Sequence, residues 1–146
     1  MTFEPQVPDW GKQLVGDNLD QLIIYHDWLC NTGIKTGLIS PKSKQFVWDE
    51  FVIHSLYFGK ILSELPGEVD VVSDLGTGGG IPGIPIGITT NITVNLIDVK
   101  EKRIFELSRL IKYSTIIIFL RFRTMRITTS KKEVFLCLDA LFQAKK

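Results

Sequence analysis

Residues 71–85, VVSDLGTGGGIPGIP, run a β-branched strand pattern into four glycines within five positions and then into Pro82 and Gly83. Glycine enters left-handed backbone at little steric cost and lets the chain approach a neighbour closely. A strand that breaks into such a loop and re-enters as a helix opens a βα unit whose loop can cradle a ligand, and the helix start adds unpaired N–H groups. A second strand pattern, NITVNLID (91–98), is followed by the helix-prone KEKRIFELSRLIKY. Strand, glycine loop, short helix, strand, helix is a βαβα order, which requires a parallel sheet. Thr115 to Phe122 and Val134 to Leu138 are two more candidate strands. The expected fold class is α/β, with an open parallel sheet over residues 67–146 behind an all-helical lead over residues 1–66, within a single domain 1–146.

In the lead, residues 1–11 are expected to be irregular. Apolar positions at helical spacing predict a first helix near 18–30, with Asp17 or Asn18 as its N-cap, and a loop from Asn31 to Lys44. A longer helix is predicted from Gln45 to Leu65, stopped by Pro66-Gly67. The apolar content of 45% fits a packed domain and excludes disorder. Cys30 and Cys137 have neither CxxC nor Cys/His spacing, so no disulfide framework or zinc site is expected. The N-terminus MTFEPQVPDW has no basic n-region or apolar h-region, and the longest apolar run, Ile116 to Leu120, is too short for a bilayer. The expectation is a soluble, cytoplasmic protein with no membrane contact and no metal. Charge is split: residues 1–98 hold five basic and twelve acidic side chains, net −7, and residues 99–146 hold twelve and four, net +8.

The loop admits two framings. Gly78, Gly80 and Gly83 satisfy GxGxxG, the dinucleotide pattern, although Pro82 inside that window is unusual. Asp74, Gly76, Gly78 and Gly80 satisfy DxGxGxG, in which a carboxylate at the strand end is able to hold the amino group of an amino-acid-bearing nucleoside. S-adenosylmethionine has that group and NAD does not. Asp98 lies 22 residues after Gly76, at the end of the next strand, where a carboxylate accepts hydrogen bonds from both ribose hydroxyls of a nucleoside. A carboxylate there also serves as N-cap to a helix starting near Lys100. Both framings describe a nucleoside cradle.

DLGTGGGIPGIPIGI (74–88) and LIDVKEKRIFEL (96–107) closely resemble the RsmG or GidB family of rRNA guanine-N7 methyltransferases. WLCNTGIKTGLISPKS and FVIHSLYFGKIL are similar, more weakly, to two upstream segments of that family, and the resemblance covers about residues 20–113. It implies a Rossmann-like S-adenosylmethionine-dependent methyltransferase fold with an incomplete sheet. It also implies methylation of 16S rRNA, at N7 of guanine 527, in the small-subunit rRNA or a 30S precursor. By the same resemblance Asp74, Gly76, Gly78 and Ile81 belong to the cofactor loop, Asp98 is the ribose-binding acid, and Lys102 and Arg103 match a Lys-Arg pair facing RNA. Phe51 and His54 stand where the family has His and Asp, and Gly37 where it has Asn. Leu138 or Asp139 stands where it has a cofactor-side arginine. After about residue 113 the family pattern fades, which implies a chain truncated at its C-terminus or divergent there. A remnant that binds nucleoside or RNA without turnover is the alternative, and a nicotinamide-dependent oxidoreductase rests on GxGxxG alone.

No catalytic residue is assigned. Guanine N7 has a free lone pair, so methyl transfer to it requires positioning and water exclusion and no base. His26 and His54 are expected on helix surfaces or boundaries, and Trp10, Trp28 and Trp48 in packing. Lys100, Lys102, Arg103, Arg109 and Lys112 put several cations on one helix face, either for phosphate contact or as a solvated face. Arg121, Arg123 and Arg126 fit the guarding of the apolar run before them.

Overall fold

A computed structural model of the chain describes residues 3–116, 118, 120–124 and 134–137. Leu138, Asp139 and Arg126 lie outside the described residues. The helical lead comprises α1 (Asp9–Val15), a 3-10 turn (Gly16–Asn18), α2 (Leu19–Trp28), α3 (Lys44–Phe46) and α4 (His54–Glu64). A π-wound segment, Leu29–Gly33, prolongs α2, and another, Val47–Ile53, joins α3 to α4. The α/β part follows as β1 (Val71–Leu75), α5 (Gly83–Thr89), β2 (Thr93–Asp98), α6 (Glu101–Tyr113), β3 (Leu120–Thr124) and β4 (Val134–Cys137).

Two expectations for the lead need correction. The start is helical from Asp9, because Pro8, with φ −58°, sits before the first turn, where its missing N–H costs nothing. The predicted loop begins later than Asn31, because the π winding carries the helical path through Gly33. The chain then turns where the Gly33 carbonyl accepts from the N–H groups of Leu38 and Ile39. The long second helix is present, capped by Ser43, whose hydroxyl accepts from the Phe46 N–H at 3.2 Å.

All strand pairs are parallel and the order is β3-β2-β1-β4. β1 lies between β2 and β4, so strand order reverses at β1, and the carboxyl ends of such strands open a crevice. The loop after β1 sits at that reversal. Helix α5 is buried at every position, which explains the unbroken apolar string GIPIGIT: it lies between α4 and the sheet. The same core cluster joins Leu22, Tyr25, Trp48 and Leu56 of the lead to Val72, Ile84, Val94 and Leu96. Among the described residues no helix is long and apolar enough to cross a membrane.

Candidate functional site

The glycines of the loop divide into two kinds. At Gly80 an added Cβ would lie 2.5 Å from Ile84 Cδ1, and at Gly83 it would lie 2.4 Å from Leu96 Cδ2 and 2.7 Å from Asp74 Oδ2. Gly83 is a glycine because α5 packs directly on the sheet, and Gly80 because Ile84 crowds it and its own φ is +87°. At Gly76 an added Cβ would meet nothing within 4 Å, and at Gly78 only the Gly76 carbonyl at 3.9 Å. Both have positive φ, 72° and 55°, so backbone conformation requires glycine there while the space beside them is open. Gly76 and Gly78 therefore form the open wall of the crevice. Ile81 follows, half-buried, its N–H donating to the Thr77 carbonyl at 3.1 Å.

Asp98 closes the crevice from β2. Its Oδ2 accepts from the Gly78 N–H at 3.0 Å and from Arg103 Nη1 at 3.1 Å, and its Oδ1 accepts from the Lys100 N–H at 2.9 Å. Burial pushes this carboxyl up, but the Lys100 and Gly78 N–H groups and the Arg103 guanidinium outweigh it and hold Asp98 below the usual carboxylate range. Asp98 is not the N-cap expected of it: α6 is entered through Lys100, which has no side-chain cap, and Asp98 holds only the Lys100 N–H just ahead of the helix. Of its three partners only Arg103 is a side chain, and only that partner turns away without moving the backbone.

Asp74, the strand-end carboxylate expected to hold a ligand's amino group, is engaged within the fold. It is 1% exposed, and its Oδ2 accepts from the Thr77 hydroxyl at 2.7 Å and from the Gly83 N–H at 3.0 Å. The first N–H of α5, offered by the sequence to a ligand, is thus taken by Asp74 across the loop. Oδ1 is buried and accepts no hydrogen bond among the described residues. Burial raises the Asp74 pKa to about 7 against the opposing effect of the Thr77 and Gly83 bonds, and the nearby Asp98 charge adds to the rise. This carboxyl ties the loop to α5 from beneath.

Lys102 and Arg103, predicted as a pair, diverge. Arg103 turns back to Asp98, whereas Lys102 is exposed on the outer side of α6. His26 corrects its surface expectation. It is fully buried, stacked on Phe3 at 4.4 Å, with Nε2 2.9 Å from the Lys44 carbonyl. His54 is exposed beside Glu50, and Phe51 packs on the core. Gly37 has φ +74°, a conformation that Asn also enters more readily than most residues. Trp48 is core, its Nε1–H donating to the Gln6 carbonyl at 2.8 Å, and Trp10 packs on Tyr57. Among the described residues no cluster of three metal-ligating side chains occurs.

Sequence reasoning missed Tyr25. It is fully buried, and its hydroxyl donates to the Gly79 carbonyl at 2.8 Å, so the lead supports the loop directly. Leu29 and Ile39 press on the same glycine, with side-chain carbons 3.1 and 3.2 Å from where its Cβ would be.

A family model described as GidB, rRNA small subunit methyltransferase G, matches residues 18–132. Proteins called ribosomal RNA small subunit methyltransferase G are similar over much of this chain. That of Corynebacterium glutamicum strain R is 32% identical over 103 residues, 70% of this chain and 44% of the relative. That of Corynebacterium efficiens is 33% identical over 112 residues, 76% of this chain and 47% of the relative. That of Mycolicibacterium smegmatis is 33% identical over 95 residues, 64% of this chain and 39% of the relative. The chain spans less than half the length of these curated relatives.

Proposed function

The chain belongs to the GidB family, the rRNA small subunit methyltransferases G, and on that premise we propose that it carries the cofactor-binding part of an S-adenosylmethionine-dependent methyltransferase acting on N7 of guanine 527 in 16S rRNA. The observation that carries this reading is the open backbone wall at Gly76 and Gly78, with the Asp98 carboxylate 3.0 Å from the Gly78 N–H. When bound, S-adenosylmethionine supplies an electrophilic methyl on its sulfonium sulfur to the lone pair of the guanine nitrogen.

The residues of this chain position and shield. Asp98, held ionised by its N–H donors and Arg103, accepts from the ribose hydroxyls once Arg103 turns off Oδ2. Gly76, Gly78 and Ile81 border the nucleoside with backbone that no side chain obstructs. Asp74 acts one step removed, fixing Thr77 and the start of α5 so that the wall keeps its shape. None of these groups needs to accept a proton from guanine, whose N7 lone pair is already free. Rate then comes from orientation and excluded water.

A second reading, binding without turnover, is favoured by Phe51, which packs on the core where the family resemblance has a histidine. The test is transfer of labelled methyl from S-adenosylmethionine to deproteinised small-subunit rRNA lacking the modification, with mapping of N7-methylguanine. Label at guanine 527 supports turnover. Cofactor binding without any label supports the second reading and overturns the first for this chain.

A further inference from the structure

The outer side of α6, and the groove between it and α2, interleave cations with aromatic rings. Lys102, Phe105, Arg109 and Lys112 follow one another at three- and four-residue steps, so they form one stripe along the helix. Phe105 is 59% exposed and Tyr113 73% exposed, so neither ring serves the core. The Arg109 guanidinium lies 5.8 Å from the Phe105 ring centre, and Lys112 Nζ lies 5.2 Å from that of Tyr113. Beside the stripe lies a groove of about 260 Å³ whose walls include Trp28 from α2, Thr32 from the π-wound segment after it, and Arg109 and Tyr113 from α6. Glu106 also lines it, with Oε2 3.7 Å from Arg109. Lys102 and Lys112 have no carboxylate partner among the described residues.

Building on the proposed rRNA substrate, we propose that this face docks an unpaired RNA segment, with Lys102, Arg109 and Lys112 against phosphates and a base stacked between Trp28 and Tyr113. The charge of the stripe selects a polyanion. The aromatic walls select one whose bases are unstacked, since the paired bases of a duplex have no free ring face to offer them. Continuity with the cofactor crevice supports the placement, because Arg103 on the same helix bonds Asp98. RNA lying along α6 runs toward the crevice.

The test is fluorescence anisotropy of a short labelled single-stranded RNA, with the duplex of the same sequence and phosphatidylserine vesicles as competitors, over a salt series. Tyr113→Ala and the double variant Lys102→Glu, Lys112→Glu alter exposed side chains and leave the core untouched. The proposal expects single-strand affinity to fall about ten-fold in each, a shallower salt slope in the double variant, and weak competition by duplex and vesicles. Unchanged affinity in both variants overturns it, as does equal competition by duplex or vesicles. Heats of S-adenosylmethionine binding, measured on the same variants, are expected to be unchanged. Unchanged RNA affinity in both variants, or equal competition by duplex or vesicles, with cofactor heat intact defeats this docking face alone, whereas absence of cofactor heat in the unaltered chain defeats the cofactor reading and leaves the docking result to stand separately.

Discussion

The Tyr25 hydroxyl donates to the Gly79 carbonyl at 2.8 Å, joining residues 54 apart in the chain. The bond makes the first long helix of the lead a wall of the glycine loop. Burial, with the Asp74 charge adding to it, pushes the Tyr25 phenol well above its ordinary range, so the proton stays on the oxygen and the donor is permanent. The lead is therefore part of the support of the glycine loop and shares its core.

Tyr25→Phe keeps the ring and removes the donor, leaving the Gly79 carbonyl buried without that partner. An unpaired buried acceptor costs about 1–3 kcal/mol. Urea unfolding should show a loss in that range, and cofactor affinity should fall with it because the loop is less well held. A variant with unaltered stability and affinity would show that the contact is idle.

The two kinds of glycine should respond differently to alanine. Gly83→Ala forces a methyl to within 2.4 Å of Leu96 and should cost about 1–3 kcal/mol of stability by overpacking. Gly76→Ala meets open space and carries only the left-handed strain of φ +72°, about 1–2 kcal/mol. Its cofactor affinity should fall more than its stability explains. Calorimetry and chemical unfolding on both variants check this, and an equal loss of binding per unit of stability would contradict the division.

Asp74 sets a pH dependence. Its folded pKa, raised to about 7 from 3.8, means that between these values the native state holds a proton that the unfolded chain has released. This group's contribution is therefore fully present below about pH 4 and is lost as pH rises through about 7, by up to about 1.4 kcal/mol per pH unit. Asp98 acts oppositely: its lowered pKa contributes stability above its unfolded value that is lost as pH falls further. Unfolding midpoints of the unaltered chain and Asp74→Asn at pH 5 and pH 7.5 isolate the first effect. The difference between the two proteins should change in favour of Asp74→Asn as pH rises, and a constant difference would contradict it.

The βαβα order, the parallel sheet and the meeting of the glycine loop with Asp98 were legible because they rest on local signals: strand period, glycine clustering and one fixed spacing. What was not legible depends on contacts between distant segments. Nothing near Tyr25 in the sequence marks it as a donor to Gly79. His26 was expected near the surface because a lone histidine carries no signal of the Phe3 and Trp48 rings that enclose it. Asp74 was expected to hold a ligand's amino group because its motif position is the same whether it faces a ligand or the start of α5; the Gly83 N–H bonded to it shows the second. Helix α1 was hidden by two prolines that sit outside its interior, and the π winding at Leu29–Gly33 has no residue pattern of its own.

On the proposed function, Gly76, Gly78 and Asp98 form a nucleoside crevice for S-adenosylmethionine. Isothermal titration calorimetry of the unaltered chain and Asp98→Ala with S-adenosylmethionine and S-adenosylhomocysteine tests it most directly. The account predicts saturable one-to-one binding, weakened about ten-fold or more in Asp98→Ala by loss of charge-assisted hydrogen bonds. Absence of binding heat with both ligands, or equal affinity in Asp98→Ala, would contradict it.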